Sequence, residues 1–125
     1  MPRPAALAPL LCFALLATLA AQERIQVAHD PALSPDGTRV AFSWRDDIWI
    51  AAAEGGAARR LTVHPARDTK PLFSPDGGRL AFASTRAGRY PQVFVKDVDG
   101  GEARQVTFNS EGCMPMDWYP DGRSL

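Results

Sequence analysis

Histidine and cysteine are scarce in this 125-residue chain, with two of each. Neither sign of charge is in excess: 14 basic residues face 14 acidic ones. That balance gives no net field toward nucleic acid or an anionic membrane. A GxSxG elbow, an HExxH pair, a Walker loop and a paired-cysteine metal motif are all missing, so no catalytic, cofactor-binding or metal-ligating residue is assigned. After residue 21 no segment keeps a 3.6-residue period, which argues against amphipathic helices. Proline and glycine are abundant instead, at 11 and 10. They mark a turn-rich chain of short strands.

One long apolar run stands at the start. Arg3 is followed by an uncharged stretch from Ala5 to Ala21, AALAPLLCFALLATLAA, and then by polar Gln22-Glu23-Arg24. A basic start, an apolar middle and a small-residue end predict a helical secretory signal peptide over 1–21, cleaved after Ala20 or Ala21. At 17 residues, interrupted by Pro9, the run is short for a membrane span. A lipoprotein site at Cys12 is disfavoured by Leu11, which stands where a small residue is needed. Cleavage implies a periplasmic or secreted protein with no membrane contact. It leaves Cys113 as the only cysteine, so no internal disulfide forms, and Cys113 reads as a small buried apolar residue.

Self-similarity is the strongest signal. Asp30 opens DPALSPDGTRVAFSW, Lys70 opens KPLFSPDGGRLAFAS, and Met114 opens MPMDWYPDGRSL. Turn prolines Pro35, Pro75 and Pro120 are therefore 40 and 45 residues apart. DDIWIAAAEGGAARRLT, from Asp46 to Thr62, matches PQVFVKDVDGGEARQVT, from Pro91 to Thr107. The five extra residues fall in TRAGRY, after Ser84, where a hairpin loop would sit.

Ser34-Pro35-Asp36-Gly37 and Ser74-Pro75-Asp76-Gly77 fit a type I turn: serine suits the first position, proline presets φ at the second, and glycine suits the fourth. The third copy, Tyr119 followed by Pro120, Asp121 and Gly122, loses the serine side chain. Val40-Ala41-Phe42 and Leu80-Ala81-Phe82 alternate small and large residues, as closely stacked sheets need. Ile48-Trp49-Ile50 and Val93-Phe94-Val95 are apolar on both faces, which predicts burial between two layers. Asp99-Gly100 predicts a type I′ hairpin. Arg59 to Thr62 and Arg104 to Thr107 read as polar outer strands. Four short strands per period give the propeller plan of radially repeated four-stranded sheets.

The repeat SPDG…LAF…VFVKDVDGGEARQVT resembles the TolB-type, WD-like propeller repeat, from His29 to the end of the chain. The run from Asp46 to Thr62 and LTVHPARDTKPLFSPDG look most like the first blade of a tricorn-like serine peptidase. The implied fold is all-β: a partial propeller over 22–125, with repeats at about 29–64, 68–109 and a truncated 111–125. That is two blades and a stub of a third. Such peptidases keep their catalytic residues far downstream, so none is carried over here, and further blades and an effector domain are expected elsewhere. The implied partners are proteins or peptides, which the propeller would bind or gate, with no nucleic acid and no cofactor. TolB itself docks envelope proteins and has an α/β domain ahead of its propeller. Only about eight residues separate the cleavage site from His29, which favours the peptidase-like reading. Two uncovered blades also predict that residues 22–125 alone are poorly soluble or self-associate.

Several residues invite a sharper reading. His29 and His64 form a poor metal pair without a carboxylate cluster and read as inter-blade residues bonding the backbone. Asp46, Asp47, Asp97 and Asp99 suggest calcium, but turn chemistry explains them. Arg59, Arg60 and Arg104 read as a solvated edge. Trp49 and Trp118 align with Phe94 and Phe73 and read as core. Trp44, which aligns with Ser84, stays open as a binding aromatic.

Overall fold

The computed structural model describes Pro2 and residues 23–125. The expected signal peptide, Pro2 apart, with Cys12 and the expected cleavage site at Ala20 or Ala21, falls outside the described residues.

Eight strands follow in order: β1 (His29–Leu33), β2 (Arg39–Trp44), β3 (Asp47–Ala52), β4 (Arg59–Arg60), β5 (Asp68–Phe73), β6 (Arg79–Ser84), β7 (Gln92–Asp97) and β8 (Gly100–Gln105). They form two four-stranded antiparallel sheets, β1-β2-β3-β4 and β5-β6-β7-β8. Each sheet is a meander, because its connections are too short for a crossover. The described residues are all-β, with propeller-like sheets stacked face to face. β5 packs on β1, β2 and β3, whereas no contact joins β4 to β8 among the described residues. The sheets therefore approach at their first strands and splay at their last, as wedges around an axis do. Residues 111–125 add a turn and Trp118 but no strand.

Alternation along the strands divides the core in two. Ala41, Ile48, Ile50 and Leu61 of the first sheet meet Phe73, Leu80, Phe82, Phe94 and Val98 of the second. Phe82 and Phe94 stack with centroids 6.1 Å apart. On the far side of the second sheet, Ala81, Val93 and Val95 meet Trp118. Each large buried side chain contributes about 1.5–3 kcal/mol, so this inter-sheet layer is the main source of stability. Val93-Phe94-Val95 is apolar on both faces because Phe94 faces one layer and the two valines the other. Trp49 corrects the same expectation for the first sheet. It is only half-buried, because no second sheet covers its face among the described residues.

The Asp99-Gly100 hairpin also needs correction. Asp97 pairs with Gly100, so Val98 and Asp99 are the turn residues. Positive φ falls on Gly100 (150°) and Gly101 (78°), not on Asp99. The cause is tertiary: Val98 is 2% exposed within the inter-sheet core, and its N–H donates to Gly78 O at 2.9 Å. In the first sheet a turn without glycine joins Trp44 to its partner Asp47. Arg45 and Asp46 both have positive φ there, 50° and 64°, as a two-residue primed turn requires.

Candidate functional site

The Ser-Pro-Asp-Gly turns line up along one end of the sheets. Gly37 N donates to Ser34 O at 2.8 Å, and Gly77 N to Ser74 O at 2.8 Å. Ser34 Oγ donates to Asp36 Oδ1 at 2.6 Å and accepts from Arg39 N at 2.9 Å. Asp36 Oδ1 also accepts from Thr38 N at 3.0 Å. The Ser34 bond, then those of Thr38, lower the Asp36 carboxyl from 3.8 to about 2. Asp76 is lowered too, first by Ser74 and then by the Gly78 N–H. At the third copy Gly122 N still donates to Tyr119 O at 2.9 Å, and Asp121 accepts from Arg123 N. These turns are consumed by their own hydrogen bonds and by packing: Pro35 lies against Gly77, and Pro75 against Gly122.

A different group of residues meets at the opposite end, where β1 and β5 begin. Asp30 and Lys70 hold equivalent positions with φ of 51° and 54°. Each lies where its strand's register slips against its neighbour. Such bulges re-aim side chains. Asp30 Oδ2 contacts His29 Nδ1 at 2.9 Å and accepts from Lys70 N at 3.3 Å. Lys70 Nζ stands 3.8 Å from Asp30 Oδ1. Burial pushes the Asp30 carboxyl up, but the His29 bond and then the Lys70 amide and charge outweigh it and leave it lowered. His29, Asp30, Arg67, Thr69, Lys70 and Met114 are among the residues lining a cleft of about 430 Å³. It presents both charges and an apolar wall at the junction of the innermost strands. The cleft thus sets hydrogen-bond donors and acceptors side by side.

Several side chains singled out in the sequence sit elsewhere. His64 Nδ1 accepts from Ala66 N at 3.0 Å, so it caps backbone. His29 lies in β1, not in a loop, and bonds a side chain. Asp47 is a correction: it is 5% exposed and pairs with Arg60, because it occupies a strand, not a turn. Arg59 and Arg60 likewise do more than face solvent. Arg59 donates to Val98 O at 3.0 Å across the sheets. Cys113 is partly buried against the Ala81–Trp118 cluster. Among the described residues, no group of three or more His, Cys, Asp or Glu could hold a metal ion.

Trp44 is 9% exposed. Its Nε1 donates to Gln26 O at 2.9 Å, and its ring meets Trp49 edge-on at 5.1 Å. The segment Glu23–Ile25 and residues 56–58 enclose a cleft of about 750 Å³ beside the two tryptophans.

The pair Asp68–Arg86 was not found by sequence reasoning. Asp68 is fully buried, and Arg86 Nη2 reaches its Oδ2 at 2.6 Å. The guanidinium also lies 5.3 Å from the Phe82 ring and 5.0 Å from that of Phe94. Arg86 comes from the TRAGRY insertion. The available signal was Ser84, which leaves the volume that Trp44 fills in the preceding repeat.

Residues 25–125 match the family described as Tricorn protease N-terminal beta propeller domain. The chain is 38% identical over 106 residues to the uncharacterized peptidase YuxL of Bacillus subtilis, covering 77% of this chain and 16% of that one. It is 40% identical over 92 residues to tricorn protease homolog 1 of Streptomyces coelicolor, covering 73% and 8%. The structure of a putative TolB from Agrobacterium tumefaciens superposes with a TM-score of 0.65 at 30% identity, covering 72% of this chain and 34% of that one. The chain thus spans less than a fifth of the two peptidase-named relatives.

Proposed function

Since the chain belongs to the family of tricorn protease N-terminal β-propeller domains, we propose that it serves as a non-catalytic propeller portion of an exported protein, binding or gating protein and peptide chains. Residues 1–21 act as the leader and 22–125 as part of the propeller. The parent is a tricorn-like serine peptidase or a related secreted hydrolase, working in the periplasm or outside the cell. The observation that carries this reading is the stacking of two wedge-like sheets with a mixed-charge cleft at their inner strands. An inner-strand junction is where a radial fold offers a shared surface to a threaded chain.

The likeness to TolB structures favours a second reading, a protein-interaction module with no peptidase attached. Titration of residues 22–125 with fluorescent unstructured peptides separates binding from turnover. The expected result is saturable binding without cleavage, weakened by Lys70→Ala and by His29→Ala. Cleavage of the peptide, or binding indifferent to both substitutions, refutes the assignment. N-terminal sequencing of exported protein tests the leader: a start at residue 21 or 22 is expected.

A further inference from the structure

The second repeat departs from the first in one region. A two-residue turn, Arg45-Asp46, joins β2 to β3, whereas the loop from Thr85 to Pro91 joins β6 to β7. At the foot of the hairpin the Asp47–Arg60 ion pair gives way to Gln92 and Gln105, which stand 45 residues on. Val63 gives way to Phe108 in the same register.

With no ion pair to make, the buried Gln92 side chain clamps the segment after β8. Its amide donates to Asn109 O. Its Oε1 accepts from Thr107 Oγ1 at 2.8 Å and from Asn109 N at 3.1 Å. Gln105 Nε2 donates to Thr107 O at 2.8 Å. Cys113 N donates to Pro91 O at 2.8 Å, and a Cβ on Gly112 would stand 3.2 Å from Tyr90 Cβ. The loop is thus seated on residues 107–113, and the two enclose a notch of about 350 Å³.

The lining of the notch includes Arg89 and no acidic residue. Arg89 pairs with no carboxylate among the described residues, and its guanidinium lies 5.5 Å from the exposed Tyr90 ring. Phe108 is 80% exposed. That exposure belongs to the position: Val63, its equivalent, is 75% exposed although the next sheet is stacked in place. Arginine, tyrosine and phenylalanine are the residues that concentrate binding energy at protein surfaces. The notch also adjoins the cleft described above. Thr85 and Pro91, the two ends of the loop, line that cleft, and residues 87–90 line the notch.

We propose that the notch is a second subsite for the peptide held at the His29–Lys70 cleft, taking an acidic side chain on Arg89 and an adjacent apolar one on Tyr90 and Phe108. The assignment rests on the peptide-binding reading of that cleft. The unpaired guanidinium sets the preference: a carboxylate gains charge-assisted hydrogen bonds, whereas a basic side chain meets a like charge.

Fluorescence titration of the full chain tests this with two unstructured peptides of Gly, Ser and Ala that differ in one pair, Asp-Leu or Asn-Leu. The Asp-Leu peptide should bind about fivefold tighter at low salt, as an exposed ion pair allows, and the gap should close in about 1 M salt. Arg89→Gln should bring the two peptides to equal affinity. Phe108→Ser should weaken both by about fivefold or more. Val63→Ser, the same replacement at the equivalent exposed position, should leave both unchanged. Lys70→Ala should weaken both and keep their ratio. Equal affinities for the unaltered chain, or a ratio that survives Arg89→Gln, overturn the notch. So does Val63→Ser acting as strongly as Phe108→Ser. Those results leave the cleft standing where Lys70→Ala still weakens binding. Binding that follows Arg89 and Phe108 but ignores Lys70→Ala upholds the notch and overturns the cleft, and no binding of either peptide overturns both.

Discussion

Replacing Arg86 by methionine strips the sole side-chain partner, among the described residues, from a carboxylate that has no solvent. The Asp68 side chain is 0% exposed and that of Arg86 16%. Asp68 Oδ1 already lacks a hydrogen-bond partner, so all compensation for its charge runs through Oδ2 and this guanidinium. Breaking a buried pair from one side costs about 3–5 kcal/mol. That is a large share of the roughly 5–15 kcal/mol holding a small domain together. Lost contact with the Phe82 and Phe94 rings adds about 0.5–2 kcal/mol. Urea titration followed by circular dichroism should therefore show the midpoint falling by ~1 M or more. The double variant Asp68→Asn with Arg86→Met removes both charges and should recover about 2 kcal/mol of the loss, because a neutral amide costs only about 1–3 kcal/mol to bury unpaired. Arg67→Met is the control: the Arg67–Asp46 pair is 64% and 69% exposed, and such pairs are worth about 0–1 kcal/mol. An Arg86→Met cost below ~1 kcal/mol, or a double variant as damaged as the single, refutes the reasoning.

Other consequences are open to measurement. Asp36, lowered to about 2, stabilises the folded turn fully above its ordinary value of 3.8. That contribution disappears as pH falls through about 2. Carboxyl NMR titration should place its midpoint near 2, and Ser34→Ala should move it upward; an unmoved midpoint removes the serine bond as the cause. Phe82→Ala, at a residue 0% exposed, should cost about 3–5 kcal/mol in the same urea assay; a loss under half of that means the sheets close over the gap. Gly112→Ala should destabilise strongly, since its Cβ would stand 3.0 Å from Pro91 O at a φ of 90°. A neutral result there contradicts the tight approach.

Much of the architecture was legible because it repeats. The turn triplets report local backbone demands, and those demands are met within five residues of each proline. The paired apolar runs likewise report two-sided burial, which the second sheet shows at Phe94 and the flanking valines. The candidate cleft was far less legible. His29, Asp30 and Lys70 come from different sheets, and no local pattern announces that two bulges will bring them together.

Period, strand number and the Ser-Pro-Asp-Gly turns were thus set by the residues themselves, since each depends on neighbours close in the chain. Packing decided the rest. Trp49 and Phe94 occupy the same repeat position, yet one is half-buried and the other 5% exposed, because among the described residues only Phe94 has a sheet stacked against it. Val98 moved a turn by entering the core, and Arg86 filled the space that Ser84 leaves. Such outcomes turn on which surfaces meet between strands and between sheets, and that information exists only once the sheets are stacked.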